Sequence, residues 1–487
     1  MSVHSSAGMK SVGLGLSLLP AIFLAVLVIW GLIYRPLFAG LPAIPLQAIF
    51  LLSASFAIGQ LLLLGFSWDK IQKSIIERIS GALPAIFILI LIGPLVGSWM
   101  ISGTIPMLVG WGINLIDLQF LYTISFVVSA IFSVLTGTSW GSAATIGVVL
   151  IGVCEAVGAN SGIAAGAIIG GCYFGDKLSP LSDTTNVAAI AARADLFDHI
   201  RAMLWTTLPS ALIAIVVYSL IGFETELESL KNTQPGTVEL LRGLQNLFEA
   251  SLILLSPVLV VLLGAIKKWP TIPILLASII VAAFLAVAFQ DFSLVTVMSS
   301  VVEGVSQSSL GVEVNQESVA SLVERGGLYS MMEAVTIALL VFVFVGSIEL
   351  LGTMTKLVDN LFGFARGQKA SVLAALFASA TTNALTSNQS ATAFIVGDAF
   401  SDRFDQNKIP RRILSRSIED MGTMIESIIP WHATALFMVA TLGVSVGDYW
   451  NWQILTLANL AIAPALVLTG VGCAFELKKS EDEYFGS

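Results

Sequence analysis

The chain has 487 residues, of which 56% are hydrophobic and only 11% are charged, with a formal net charge of −9. A soluble protein of this length needs a charged surface that this composition does not supply, so a soluble globular protein is excluded. The basic residues form no patch, which gives no indication of nucleic acid as a partner.

Long stretches without Asp, Glu, Lys or Arg predict membrane-spanning helices. Each reaches the roughly 20 residues that cross a hydrocarbon core as a helix, and the lipid bilayer is therefore a partner. The stretches are 11–34, 36–68, 79–116, 118–154, 156–175, 202–223, 269–290, 370–397 and 449–475. We predict an all-α integral membrane protein with about 12 or 13 transmembrane helices, the first of them a retained helix and no signal peptide.

Basic residues lie mainly on one side when the spans alternate from a cytoplasmic N-terminus. On that topology 18 Lys and Arg residues face the cytoplasm, four face outward and Lys177 lies within a span. This bias follows the positive-inside rule, and it predicts a multi-pass protein of the cell (inner) membrane with both termini in the cytoplasm. The alternation of the membrane spans requires that the segments 121–157 and 372–400 each enter and leave the membrane on the same side. Both are therefore predicted re-entrant hairpins, which are tolerated where they line a protein cavity.

Three motifs of the first half recur in order in the second half, at offsets of 249, 248 and 250 residues. The matched pairs are Gly97-Ser98 with Gly346-Ser347, Thr138-Ser139 with Thr386-Ser387, and Asp176, Pro180 and Thr184 with Glu426, Pro430 and Thr434. The two copies begin on opposite sides of the membrane and are therefore inverted. Inverted repeats with interrupted helices are a recurring plan of secondary transporters.

The repeats divide the chain into five predicted regions along its length. They are N-terminal peripheral helices at 1–80, a first repeat at 81–223 with broken helix 162–199, connecting helices and acidic outer loops at 224–326, a second repeat at 327–475 with broken helix 412–447, and a cytoplasmic tail at 476–487. The acidic outer stretches within this plan are 224–239 and 291–324.

The most informative segment is 175–186, which lies midway in an apolar stretch too long for one straight helix. Pro180 removes a backbone donor and clashes with the preceding turn, so the helix is predicted to break near 178–183. Hard oxygen ligands that meet at such a break suit a small cation such as sodium. The oxygen-bearing residues here are Asp176, Ser179, Ser182, Asp183, Thr184 and Asn186.

An ordinary proline kink, whose polar residues satisfy freed backbone groups, is the alternative explanation of this segment. Two intramembrane carboxylates are costly for a kink alone, which favours the ion site. Lys177 has two open roles, as a counter-ion of a carboxylate or as a side chain that snorkels to the interface.

The second broken helix has the same arrangement of a carboxylate followed by a proline, with different side chains. Glu426 stands where Asp176 stands, as a buried carboxylate that could carry a proton, and His432 stands where Ser182 stands. For His432 a titrating role and a hydrogen-bonded structural role are both open. Glu349, beside Gly346 and Gly352, is a further site candidate.

The predicted hairpin tips are rich in hydroxyl and amide groups that could also bind a cation. Their alternative role is close helix–helix packing through small residues. The tip residues are Thr138 and Ser139 in the first hairpin, and Thr386, Ser387 and Asn388 in the second. The predicted sodium ligands from both regions are Asp176, Asp183, Ser179, Thr138, Ser139, Thr386 and Ser387.

The run Gly-Asp-Lys-Leu-Ser-Pro-Leu-Ser-Asp-Thr-Thr-Asn at 175–186 resembles the signature of NhaC-type sodium/proton antiporters. Residues 97–106, 137–141 and 346–352 fit the same pattern. The resemblance implies two inverted repeats, two hairpins and two broken helices around a central site, with sodium exchanged for protons. The family also includes sodium-lactate/malate-proton exchangers, so the resemblance alone does not settle the substrate.

We therefore interpret the chain as a secondary transporter that exchanges sodium for protons by alternating access, without a cofactor. One rival is organic-acid exchange, in which Lys177 or a helix N-terminus would hold a carboxylate. The other rival is an intramembrane hydrolase that uses Ser182, Asp183 and His432. The oligomeric state stays open, a homodimer included. The three cysteines are predicted to be packing residues: Cys154, Cys172 and Cys473.

Overall fold

The computed structural model describes residues 12–232, 242–310, 323–363 and 365–473. Within these ranges every regular element is a helix. The predicted tail at 476–487 lies outside the described residues, as do parts of the acidic stretches 224–239 and 291–324.

Twenty helices organise the described residues. In chain order they are α1 Leu14–Leu37, α2 Leu46–Leu63, α3 Trp68–Ile101, α4 Thr104–Leu115, α5 Leu118–Thr136, α6 Ser139–Ala156, α7 Ser161–Leu178, α8 Asp183–Ala191, α9 Leu196–Asn232, α10 Leu252–Ile266, α11 Thr271–Ala288, α12 Leu294–Glu303, α13 Leu328–Glu349, α14 Thr353–Phe362, α15 Gln368–Thr386, α16 Gln389–Gln406, α17 Arg411–Ile428, α18 Ala433–Leu442, α19 Val446–Trp452 and α20 Ile454–Thr469. Short helical turns also occur at 242–247 and Gln307–Leu310.

By length and composition, 8 of these helices can cross a membrane, or up to 10 spans form if the bent pairs α17–α18 and α19–α20 each count once. The prediction of an all-α multi-pass membrane protein is confirmed. The number is below the predicted 12 or 13 because several apolar stretches are divided. The stretch at 370–397, for example, is divided between α15 and α16 by the turn at Ser387–Asn388.

The described residues of Met1–Leu83 and Thr336–Phe364 form one compact unit. In it the hydroxyl of Thr353 donates to the Ser17 carbonyl at 2.8 Å, and Lys356 Nζ donates to the Val12 carbonyl at 2.8 Å. A Cβ at Gly346 would lie 2.8 Å from Ile75 Cα, so only glycine allows this approach of α13 to α3. The motif predicted to open the second repeat therefore packs against the N-terminal helices, which were predicted as a separate region.

The second unit contains both predicted hairpins and both broken helices, within Pro84–Val335 and Ala365–Ser487. Helices α5 and α7 pack tightly here, because a Cβ at Gly171 or Gly175 would collide with the backbone of α5. Glycines four residues apart on one helix face permit this kind of close approach in membrane proteins.

The first broken helix ends at Leu178 and resumes at Asp183, around Pro180. It stops at Ala191 and not at 199, because Arg193 adopts a left-handed conformation with φ of 54°. Asp195 then accepts backbone N–H groups of Phe197 and Asp198 and so begins α9.

The second broken helix bends by 48° between α17 and α18. It ends at Leu442 and not at 447, because Gly443 takes a left-handed conformation with φ of 73°. The two hairpins turn at Gly137–Thr138 and at Ser387–Asn388, and the second extends from Gln368 to Gln406, beyond the predicted 372–400.

Candidate functional site

Asp176 joins the broken helix to the first hairpin. Its side chain lies in the last turn of α7 and is only 3% exposed. Ser139 Oγ, at the start of α6, donates to Asp176 Oδ2 at 2.7 Å. Ser182 Oγ, just before α8, donates to Asp176 Oδ1 at 2.6 Å. One buried carboxylate is thus held by two neutral hydroxyls, one from the first hairpin and one from the far side of the helix break.

The break itself is stabilised by short polar side chains. Ser182 is the N-cap of α8 and accepts the N–H of Thr185 at 3.3 Å, while its hydroxyl lies 3.0 Å from Thr184 Oγ1. Thr185 Oγ1 donates to the carbonyl of Asp176 at 3.1 Å, which satisfies a backbone group freed by the break. Ser182 therefore serves the backbone and the carboxylate together.

Two predicted ion ligands of this segment are engaged with backbone carbonyls. Ser179 Oγ donates to Val134 O at 2.9 Å, and Asn186 Nδ2 donates to Pro180 O at 3.1 Å. The Asn186 contact satisfies a carbonyl of the break, as the proline-kink explanation requires, whereas the Ser179 contact holds the break against α5. Their hydrogen bonds with the backbone place them among the supporting residues of the site.

Asp183 lies outside this hydrogen-bonded cluster, although its charge is close enough to act on Asp176. It is exposed in the first turn of α8, and its Oδ1 accepts the backbone N–H of Thr184 at 3.0 Å. A carboxylate in this position is stabilised by the positive end of the helix dipole. The structure therefore does not bring Asp183 into the hydrogen-bonded group of Ser139, Asp176 and Ser182.

The two hairpin tips are built alike. Thr138 caps α6 by accepting the Gly141 N–H at 3.3 Å, and Asn388 caps α16 by accepting the Ala391 N–H at 2.8 Å. Behind the caps, Thr386 Oγ1 lies 3.1 Å from Thr392 Oγ1. These contacts support the predicted repeat, and they show that Thr138 and Asn388 serve first as helix caps.

Ser387 connects the second hairpin to the second broken helix. It adopts a left-handed conformation with φ of 50°, which is uncommon for a residue with a Cβ. Its Oγ accepts the backbone N–H of Ala433, at the start of α18, at 2.9 Å. The hairpin tip is thereby held against the break in the second repeat.

Glu426 occupies the position in the second repeat that Asp176 occupies in the first. It is 5% exposed, and Oε2 accepts from Thr434 Oγ1 at 2.9 Å and from Tyr173 Oη at 3.3 Å. Oε1 accepts from Asn383 Nδ2 of α15 at 3.1 Å. Each repeat thus encloses one carboxylate between its hairpin and its broken helix, and Tyr173 of α7 connects the two repeats.

His432 is held in a neutral form by its contacts. Nδ1 accepts the backbone N–H of Thr434 at 3.1 Å and so must be unprotonated. Nε2 lies 3.1 Å from Asn383 Oδ1 and donates to it in the remaining tautomer. Since the amide of Asn383 points its nitrogen at Glu426, His432 orients the residue that holds the carboxylate.

Lys177 is fully buried and pairs with a carboxylate of the second repeat. Its Nζ lies 2.7 Å from Asp420 Oδ1 and 3.2 Å from Asn459 Oδ1. Thr206 Oγ1 of α9 donates to the same Asp420 oxygen at 2.8 Å, and Arg416 Nε lies 3.6 Å from Asp420 Oδ2. Of the two roles left open for Lys177, the structure supports the counter-ion.

Glu349 lies in the other unit and is exposed at the end of α13, close enough to Arg78 for their charges to interact. The three cysteines are buried and unpaired. Among the described residues no group of three or more His, Cys, Asp or Glu side chains is arranged to hold a metal ion. The carboxylate-and-hydroxyl cluster around Asp176 is a different kind of site, suited to a weakly held hard cation.

Residues 171–471 match the model of the Na+/H+ antiporter family. That range is more than half of the chain and includes the breaks in both broken helices. The chain belongs to the Na+/H+ antiporter family. It is 36% identical to an uncharacterized Na(+)/H(+) antiporter of Haemophilus influenzae, over 90% of this chain and 93% of the relative. It is 34% identical to the Na(+)/H(+) antiporter NhaC of Alkalihalophilus pseudofirmus, over 84% and 86% of the two chains.

A third relative carries a different description. The Malate-2H(+)/Na(+)-lactate antiporter of Bacillus subtilis is 30% identical, over 90% of its length and 88% of this chain. Similarity to both kinds of protein is what the resemblance at 175–186 implied, and the membership in the NhaC-type family is confirmed.

The antiporter contains functional candidates that sequence reasoning missed. Asp420 and Glu419 lie in a π-helical turn of α17, Ile418–Thr423, and both are fully buried. Tyr173, which contacts Glu426, was also missed, whereas Asn383, which also contacts Glu426, lies within the oxygen-rich segment of the predicted second hairpin. The signal that could have revealed the acids is their position six and seven residues before Glu426, within a segment otherwise predicted to be membrane-embedded.

The three residues of the hydrolase rival are not assembled into a nucleophile–base pair. The hydroxyl of Ser182 is bonded to Asp176, and both ring nitrogens of His432 are engaged with Thr434 and Asn383. A serine nucleophile needs a base within hydrogen-bond reach, and His432 does not supply one to Ser182 in this arrangement.

Because His432 acts as a neutral cap, His432→Asn is expected to leave the pH dependence of transport unchanged. Asn is also a good N-cap and can accept the Thr434 N–H. His432→Ala should lower stability by about 1 kcal/mol through loss of the cap. Transport by liposome-reconstituted protein, measured across a pH series, tests this. A displaced pH midpoint in His432→Asn would show that the imidazole itself titrates.

Proposed function

We propose that this antiporter exchanges sodium ions for protons across the cytoplasmic membrane by alternating access, with Asp176 as the exchange carboxylate. The observation that carries the proposal is the carboxylate of Asp176, buried at a helix break and held by the hydroxyls of Ser139 and Ser182. A buried carboxylate is tolerated only with a proton, a cation or a charged partner. Competition between proton and sodium for this one group couples the two flows.

The two hydroxyls suit both forms of Asp176. A serine hydroxyl can donate to the ionised carboxylate, and after rotation it offers a lone pair to a cation beside that carboxylate. Thr184, at 3.0 Å from Ser182, extends the set of neutral oxygens. Ser139, a predicted sodium ligand, and Ser182, a predicted ion-binding residue, have this dual capacity next to Asp176. Thr138, Ser179, Thr386 and Ser387 we propose as supporting residues that shape the site.

Glu426 we propose as a second acid of the exchange, in the equivalent position of the second repeat. Its carboxylate accepts from Thr434, Asn383 and Tyr173, which can stabilise an anion without a cation. Transport therefore requires Asp176 strictly and Glu426 less strictly. We also propose that Lys267, Lys408 and both termini face the cytoplasm, in accordance with the positive-inside rule.

Organic-acid exchange, which the name of the Bacillus subtilis relative suggests, is the second candidate. It needs a positive group to receive an organic carboxylate. Lys177 was the cationic candidate for that task, but it lies within a salt bridge to Asp420 and contacts Asn459. The N-termini of α8 and α18 are already capped by Ser182 and His432. These contacts favour a bare cation as the substrate.

Sodium alone is expected to collapse a pH gradient imposed across liposomes that contain the purified protein. The gradient is followed with a pH-sensitive dye, and sodium, lithium, potassium, malate and lactate are added one at a time. Empty liposomes and liposomes given choline provide the controls. Dequenching that requires malate or lactate in addition to sodium would replace simple antiport with organic-acid exchange.

A further inference from the structure

Glu419 is a buried acid that the exchange at Asp176 does not use. It is 0% exposed, and neither of its carboxylate oxygens has a hydrogen-bond partner among the residues that the structure describes. The hydroxyl of Thr423, one turn further in the same π-helical segment, is also buried; it makes no hydrogen bond of standard geometry, but it lies close enough to act on the Glu419 carboxylate. An ionised carboxylate in such surroundings costs several kcal/mol, so Glu419 carries a proton in this conformation.

The basic groups near Glu419 form ion pairs with another acid. Lys177, Asp176 and Asp420 act on it electrostatically, and Lys177 is bonded to Asp420 at 2.7 Å. Arg416, earlier in α17, lies 3.6 Å from the same Asp420. Two buried cations thus face one carboxylate, and their surplus positive charge can compensate the anion that Glu419 forms when it releases its proton.

Among the described residues, the helices that face this turn add neutral groups beside Lys177. Helices α15 and α16 face Gly422 of the turn with the neutral side chains of Ser379 and Gln389. Helix α20 contributes the amide of Asn459, which donates to the Asp420 carbonyl at 2.9 Å. Helix α8 carries Asp183, whose side chain is exposed. Helix α9 places the buried imidazole of His199 within electrostatic reach of Lys177 and Asp420. In the part of the chain that the structure describes, the surroundings of Glu419 thus combine Lys177, His199 and neutral polar groups with the other acids.

Glu419 is not part of the arrangement that the two repeats share, a buried carboxylate next to a helix break. At the offset of 250 residues that relates Asp176 to Glu426, the counterpart of Glu419 is Ile169 and that of Asp420 is Gly170. The first copy is a regular α-helix at these positions, whereas the second forms a π-helical turn. Single π-helical turns inside helices occur frequently at functional sites.

We propose that Glu419 is a proton-carrying residue of this antiporter, which moves a proton in addition to the one that sodium displaces from Asp176. The inference rests on the proposed sodium/proton exchange. The carboxylic acid releases its proton to water on one side of the membrane, and the charge of Lys177 compensates the resulting anion. The anion takes a proton from the other side before the cycle repeats.

The ratio of protons to sodium ions tests the inference. Liposomes containing the full-length protein are clamped at zero membrane potential, and opposing sodium and pH gradients are varied until net proton movement stops. We expect more than one proton per sodium in the native protein and one fewer in Glu419→Gln. If the native ratio is two, the pH gradient that balances a given sodium gradient doubles in the variant. Glu77→Gln, an exposed glutamate with a 68% exposed side chain, is the matched control.

Sodium–sodium exchange without a pH gradient serves as the second readout, since it moves no net protons and should persist in Glu419→Gln. A native ratio of one proton per sodium overturns the inference while leaving the proposed function intact. This outcome is measured on the native protein, so it does not depend on whether a variant folds. An unchanged ratio in Glu419→Gln, or a folded variant that loses sodium–sodium exchange, also overturns it. Failure of sodium to move protons in the native protein removes both proposals.

Discussion

Replacing Asp176 with Asn is expected to abolish sodium-driven proton movement while the protein still inserts and purifies. Asn has nearly the same shape but cannot ionise, so it can neither release a proton nor neutralise a sodium ion. The hydroxyls of Ser139 and Ser182 can rotate to suit the amide, which preserves the packing around the break. The measurement is dye dequenching in liposomes with equal amounts of reconstituted protein.

Asp198→Asn is the matched control for this experiment. Asp198 is 48% exposed in the first turn of α9, where it pairs with Arg201 at 3.3 Å, and its neutralisation should leave transport unchanged. Asp183→Asn is expected to reduce transport less than Asp176→Asn, because its side chain is exposed and bonded to its own helix turn. Loss of activity in Asp183→Asn with full activity in Asp176→Asn would reverse the assignment of the exchange carboxylate.

Removing one member of the Lys177–Asp420 pair should have the largest effect on stability. Breaking a buried ion pair typically costs about 3–5 kcal/mol, because the remaining charge is left without compensation. Asp420→Asn should be the more severe change, since it leaves both Lys177 and Arg416 without their shared carboxylate. Lys177→Met still leaves Arg416 at 3.6 Å from Asp420.

The pair is tested with a double-mutant cycle on purified protein in detergent. Stability is measured for Lys177→Met, Asp420→Asn and the double variant, and the double variant should cost less than the two single losses together. A coupling of about 1–3 kcal/mol is expected for residues in direct contact within one network. Strictly additive losses would mean that Lys177 and Asp420 contribute independently, and that the counter-ion assignment is wrong.

Local patterns in the amino-acid sequence were sufficient to predict the class of protein and the position of its central feature. Uncharged stretches of spanning length predict membrane helices, because the hydrocarbon core excludes charge and unpaired backbone. Pro180 predicted the break that lies between Leu178 and Asp183, since proline cannot continue the hydrogen bonding of a helix. The correspondence between Asp176 and Glu426 was also predicted from the internal sequence repeat alone.

Only the tertiary structure decided which residues are the partners of these groups. Lys177 and Asp420 lie 243 residues apart in the chain, and no local pattern links them. Asp176 and Asp183 look equivalent in the motif, yet one is buried between two hydroxyls and the other is exposed. Hydrogen bonds and burial depend on which helices meet. The sequence therefore determined which residues can carry charge in the membrane, and the packing of hairpins against broken helices decided which of them share a site.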